Sequence, residues 1–198
     1  MNISTTKKIN FPVLHTERFI LRKIEESDAQ EIFEYFSKDE VTKYYDLESF
    51  TNIEQAIELI KRWDKRFEDH QGYRWGIALK ESNQLIGSCG YHNWSKEHFK
   101  AEIGYEVTPA YWRRGVITEV LEKVLQYGFD EMGLFRIEAY YDPENIASKG
   151  SLEKAGFIYE GTLRKSAFEK GRFCDAAVCS ILKGEFKREK YKYQKALF

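Results

Sequence analysis

Residues 102–126, EIGYEVTPAYWRRGVITEVLEKVLQ, decide the fold. Ile103, Tyr105 and Val107 alternate with Glu102, Gly104 and Glu106, the period of a strand, which places both carboxylates on one face. Past Pro109 the period lengthens: Val120, Leu121, Val124 and Leu125 recur at three- and four-residue steps and predict an amphipathic helix packed on a sheet. The junction Trp112-Arg113-Arg114-Gly115-Val116-Ile117-Thr118 brings unpaired helix N–H groups, a positive dipole end and two arginines to one point, a combination that suits a phosphate. A plain strand-to-helix turn with solvated arginines is the other reading of the same residues.

Outward from this stretch, strand and helix periods alternate along the whole chain. Residues 15–23 (HTERFILRK) read as one strand centred on Phe19, Ile20 and Leu21. Ser27 and Gln30 have the spacing of a capping box ahead of Ile32, Phe33 and Phe36, and Thr51 with Glu54 repeats it ahead of Ile53, Ile57, Ile60, Trp63 and Phe67. Residues 73–94 predict an antiparallel hairpin turning at 81–84, with His92 near the end of its second strand. There His92 would serve as an acid or base, or only as a hydrogen-bonding strand end. After the long helix, residues 135–141 read as a strand, and Asn145 caps a helix that Gly156 ends. Residues 157–183 then hold two more strands. This order predicts one mixed α/β domain over residues 1–198, with about seven mostly antiparallel strands and about four helices. Its core lies within 13–183, and a basic, aromatic tail at 184–198 reads as a solvated or edge-packed terminus, with contact to RNA or an acidic partner as the other reading.

Composition narrows the function. A chain of 198 residues supports one full core, and its net charge of −1 gives no global attraction to nucleic acid or an anionic membrane. Cys89, Cys174 and Cys179 are odd in number and form no C-x-x-C pair, so neither a disulfide framework nor a metal site is expected. The N-terminus lacks a signal-peptide h-region and no apolar run approaches the roughly 20 residues of a membrane span, so a cytoplasmic protein is expected. The loop lacks the G-x-G-x-x-G of a dinucleotide fold.

The junction resembles the R/Q-x-x-G-x-G/A acetyl-coenzyme A loop of the GNAT N-acetyltransferases, and its setting, IGYEVTPAYWRRGVITEVL, is similar to their RimJ/RimL branch. Trp112 stands at the first loop position and Ile117 at the last, where the broad pattern has Arg or Gln and a small residue. A second segment, N-x-x-S followed by S-L-E-K-x-G-F at residues 145–157, resembles the pantetheine-binding helix of the same family. The resemblance implies acetyl-coenzyme A as co-substrate, no metal, and an amine acceptor, with a monomer or homodimer as the working form. Backbone groups of Arg113, Arg114, Gly115, Val116, Ile117 and Thr118 would hold the pyrophosphate. Tyr105, Val107 and Asn145 would hold the pantetheine arm, and residues 41–50 would border the acceptor.

The chemistry needs a proton acceptor for the amine and a proton donor for the departing thiolate. Glu102 and Glu106 share a face and either would accept the proton, Glu102 being preferred; a carboxylate merely paired with lysine is the alternative for each. Ser148 matches the serine near the thioester sulfur and is the candidate donor, or else a first-turn helix residue bonded to backbone. A protein α-amine, with a pKa of about 8, is partly neutral at pH 7, whereas a lysine near about 10.4 is mostly charged. A weak base thus fits a protein N-terminus, of the ribosomal-protein type, as acceptor. The alternatives are a small amine (polyamine, aminoglycoside or amino acid) and a coenzyme A-binding protein without turnover.

Overall fold

The computed structural model describes residues 10–187. Eight strands form one sheet: β1 Leu14–His15, β2 Phe19–Lys23, β3 Tyr73–Leu79, β4 Leu85–Ser95, β5 Lys100–Val107, β6 Arg136–Tyr141, β7 Ile158–Glu169 and β8 Arg172–Leu182. Their order is β1-β2-β3-β4-β5-β6-β8-β7, and every neighbouring pair is antiparallel except β5 with β6. Five helices join them: α1 Ala29–Phe36, α2 Asp39–Thr42, α3 Ile53–Glu68, α4 Val116–Asp130 and α5 Ile146–Ala155.

Alternation along the strands makes two cores. On one face Trp75, Cys89, Tyr91 and Ile103 pack with Val120, Val124 and Leu125 of α4 and Leu152 of α5. On the other, Ile24 and Leu85 meet Ile32 and Phe36 of α1 and Ile60 and Trp63 of α3. Each large apolar side chain buried in this way contributes about 1.5–3 kcal/mol of transfer free energy, which is what holds short helices against the sheet.

The expected architecture is present, with local differences. The strand expected over 15–23 is two strands, because the Thr16 hydroxyl accepts the Phe19 N–H at 2.9 Å and folds the chain back between His15 and Phe19. The first capping box is made by neighbours of the expected pair: the Asp28 carboxylate accepts the Glu25 N–H at 2.8 Å, while Gln30 bonds Glu34 instead. At α3 the box lies one residue later, with Asn52 and Gln55 in place of Thr51 and Glu54. The short helix α2 appears within the segment between the first two expected helices. Of the expected tail, Phe186 packs on Phe129 with ring centroids 5.4 Å apart, and residues 188–198 lie outside the described residues.

Candidate active site

Strands β5 and β6 run parallel but pair only at Lys100/Arg136, Ala101/Ile137 and Glu102/Glu138. Beyond Glu102 they part, because β6 continues along β8 as far as Tyr141/Ala177 while β5 continues along β4 to Gly87/Val107. The result is a fork whose inner edges carry backbone groups without ladder partners. At its open end β5 leads through a 3-10 turn, Pro109–Tyr111, to the loop before α4. Trp112 fastens this loop by donating its indole N–H to the Val107 carbonyl at 2.6 Å.

Helix α4, like α1 and α2, starts without a side-chain cap. Asn52 caps α3 and Asn145 caps α5, but the N-cap of α4 is Gly115, at φ +72°, with no side-chain cap. The amides of Val116, Ile117 and Thr118 therefore face outward without an intrahelical acceptor. Gly115 needs its left-handed conformation to turn the chain, and Arg113 shares it at φ +58°. The Ile117 side chain packs against the first core, so its bulk points away from these amides. Arg113 and Arg114 are exposed, and the Arg114 guanidinium lies 5.4 Å from the Tyr111 ring centre. Arg18, which no sequence pattern singled out, ties the loop down. Its guanidinium donates to the Arg114 carbonyl at 3.0 Å and to Glu119 at 2.7 Å, drawing that carboxylate away from the helix amides.

Inside the fork, α5 faces β5. The Asn145 side chain accepts the Ser148 N–H at 3.0 Å, and the Tyr105 hydroxyl lies 3.1 Å from the Ser148 Oγ. Gly156, at φ +96°, ends α5 and turns the chain into Phe157, which is buried. The expected cofactor and donor residues Tyr105, Val107, Asn145, Ser148 and 113–118 thus converge on one fork and its mouth.

Glu102 and Glu106 share the opposite face, in different surroundings. The Glu106 carboxylate pairs with the Arg74 guanidinium and accepts from Ser88, from Tyr45 at 2.7 Å and from Tyr35 at 3.3 Å. Gly104 leaves the space this needs: a Cβ there would stand 3.3 Å from Arg74 Nη1. Burial works against the Arg74 charge, but the Glu106 carboxylate together with Tyr45, Cys89 and Tyr35 outweighs it and raises the guanidinium pKa. All of Glu106's accepting capacity is engaged. Glu102 is half-buried and lies across from His92, with Nε2 3.3 Å from its carboxylate. Burial pushes the Glu102 carboxyl up, but hydrogen bonds from His92 and Asn93 and the charges of His92 and Lys100 outweigh it and hold it below the ordinary value. Sequence spacing alone did not reveal these two partnerships; the hairpin register that pairs Ser88 with Glu106 and His92 with Glu102 does.

The rim of this face is mixed in charge. Lys170, at the tip of the β7–β8 hairpin, donates to the Thr42 carbonyl at the end of α2 at 2.6 Å. Asp39 is held by Ser49 at 2.5 Å, and Glu138 is shared by Lys100 and Arg136. Among the described residues no group of three or more His, Cys, Asp or Glu is placed to hold a metal, and no helix is long and apolar enough to cross a membrane.

Residues 18–158 match the acetyltransferase (GNAT) domain family. The chain is 46% identical over 173 residues to the uncharacterized N-acetyltransferase YoaA of Bacillus subtilis, covering 87% of this chain and 98% of that one. It is 31% identical over 132 residues to the putative ribosomal N-acetyltransferase YdaF of the same organism, covering 67% and 71%. Among solved structures, a GNAT-family acetyltransferase from Bacillus anthracis superposes with a TM-score of 0.79 at 30% identity, over 88% of this chain and 100% of that one. The spermidine N-acetyltransferase of Vibrio cholerae, solved with coenzyme A and spermine, has the same fold, with a TM-score of 0.74 at 23% identity over 85% and 97%. The chain belongs to the GNAT acetyltransferase family. It is an N-acetyltransferase whose co-substrate is acetyl-coenzyme A.

Proposed function

We propose that this enzyme acetylates the α-amine of a protein N-terminus, with the donor lying in the fork between β5 and β6. The observation that carries the reading is the fork itself, with an uncapped helix at its mouth. An amide-bearing pantetheine arm matches the unpaired strand edge, and a pyrophosphate matches the free amides at 116–118. Arg113 and Arg114 supply positive charge beside it.

The amine reaches the thioester from the Glu102 face. As the N–C bond forms, the amine proton passes to Glu102, directly or through a water; as the C–S bond breaks, Ser148 supplies a proton to the sulfur. A carboxylate held below its ordinary pKa is a weak base, adequate for an α-amine that is already partly neutral and poorly matched to a lysine. Glu106, enclosed by Arg74 and three hydroxyls, shapes the site rather than taking the proton. Among the carboxylates of this face Glu106, Glu138 and Asp39 already have donors and Lys170 stands at the rim, while Glu40, Asp46 and Glu48 are exposed, so a polyamine is the competing acceptor that the test has to separate from a peptide.

The test is release of coenzyme A from acetyl-coenzyme A in the presence of either short peptides with free N-termini or spermidine. Turnover with peptides and little with spermidine supports the reading; the reverse preference refutes the acceptor assignment. Within this test Ser148→Ala lowers turnover while leaving coenzyme A affinity nearly unchanged, and unchanged turnover removes Ser148 from the mechanism.

A further inference from the structure

We infer that Tyr105 is a positioning residue for thiolate departure: its hydroxyl holds the Ser148 hydroxyl so that the serine proton faces the sulfur. This rests on the reading of the fork as the donor site. Ser148 is fixed from two sides. Asn145 accepts its backbone N–H at 3.0 Å, and the Tyr105 hydroxyl stands 3.1 Å from its Oγ and 3.3 Å from its carbonyl oxygen. A serine hydroxyl at a helix start otherwise has several staggered positions, some of which turn it onto its own helix backbone. Ser151, one turn on, does this, donating to the Ala147 carbonyl at 2.9 Å.

Tyr105 is suited to the task because its own position is set by β5 and its ring is packed against the first core. Burial pushes its hydroxyl well above the ordinary phenol range, only partly offset by Ser148, so at neutral pH it keeps its proton. With a thiolate in the fork, one arrangement satisfies every group. The Tyr105 O–H donates to Ser148 Oγ, and the Ser148 O–H donates to sulfur. When the C–S bond breaks, its electron pair stays on sulfur, which takes the serine proton. Tyr105 stabilises the oxygen left behind until a proton returns to it through water, balanced by the amine proton that Glu102 took and releases to solvent. Tyr105 and Ser148 are 43 residues apart, so only the packing of α5 on β5 shows that they act together.

The experiment titrates the thiol of bound coenzyme A by its thiolate ultraviolet absorbance, with desulfo-coenzyme A as the reference, so no acceptor is needed. A hydrogen bond to the thiolate favours ionisation. Ser148→Ala is expected to lower the thiol's ionisation constant about tenfold and Tyr105→Phe about threefold. Tyr105→Phe has no further effect in the Ser148→Ala background, and Ser148→Thr, which keeps the hydroxyl, restores most of the ionisation. Thermal melting confirms that each variant is folded, and the Ser148→Thr comparison still reads the hydroxyl's role if Tyr105→Phe is not. A Tyr105→Phe thiol that titrates like wild type, or one whose shift persists undiminished without Ser148, overturns the inference alone. Failure of the wild-type protein to bind coenzyme A overturns the donor-site reading instead.

Discussion

Replacing Glu106 with leucine tests whether that carboxylate is a piece of architecture. The side chains of Arg74 and Glu106 are only 10% and 5% exposed, and the carboxylate also receives Ser88, Tyr35 and Tyr45. Without it the guanidinium keeps the Gly104 carbonyl at 3.0 Å, Ser88 at 2.6 Å and Tyr45 at 2.9 Å, but no counter-charge. Removing one member of a buried pair costs about 3–5 kcal/mol, because the survivor remains desolvated and uncompensated. In a domain of this size that lowers Tm by about 6–20 °C. Removing both charges together, as Arg74→Met with Glu106→Leu, recovers part of the loss: an apolar pair carries no charge to desolvate, but the Ser88, Tyr35 and Tyr45 hydroxyls lose their acceptor. Urea unfolding of the four proteins gives the cycle directly. A loss below about 1 kcal/mol for Glu106→Leu alone, or a double variant as unstable as the sum of the singles, refutes the reasoning.

Three other outcomes follow from the same geometry. Gly115→Ala forces a side chain into a left-handed conformation at the loop; it should cost about 1 kcal/mol of stability and weaken coenzyme A binding severalfold, as calorimetric titration would report. Because the Glu102 carboxyl lies below its ordinary value, the stability it contributes is present above about pH 4.3 and disappears as pH falls through the lower folded value. The pH profile of kcat/KM for a peptide acceptor should accordingly rise with the ionisation of the amine near about pH 8, with no carboxylate limb between pH 5 and 8. Burial pushes the Cys89 and Cys179 thiols up to about 12, so a thiol reagent should titrate at most Cys174 in the native protein and all three cysteines after denaturation.

Periodicity made the frame of this protein legible. The change of period between Val107 and Val120 is the passage from β5 to α4, and Asn145 and Gly156 bracket α5 as their chemistry requires. Precision failed where neighbouring polar residues offered equivalent local bonds: TNIEQ contains two overlapping capping boxes, and only packing of the helix selects Asn52 with Gln55. The turn at Thr16 was hidden because a hydroxyl, not a glycine or proline, makes it. Positions were readable where backbone geometry sets them, as at 113–118. They were unreadable where side chains meet across long separations, as for Arg18 with Arg114, Arg74 with Glu106 and Tyr105 with Ser148. His92 opposite Glu102 falls between these cases, since the short turn between β4 and β5 fixes their register.

The parting of β5 from β6 also divides the molecule mechanically. Five strands lie on one side and three on the other, and among the described residues the sheet itself joins them at only three ladder positions, at the closed end. The molecule resembles a hinged book whose spine is Lys100–Glu102 with Arg136–Glu138. A ligand arm seated between the covers would serve as an inserted strand. Amide hydrogens along the two facing margins should then exchange rapidly in the empty protein and slowly once the arm is in place, so that occupancy is written in the stiffness of the whole sheet.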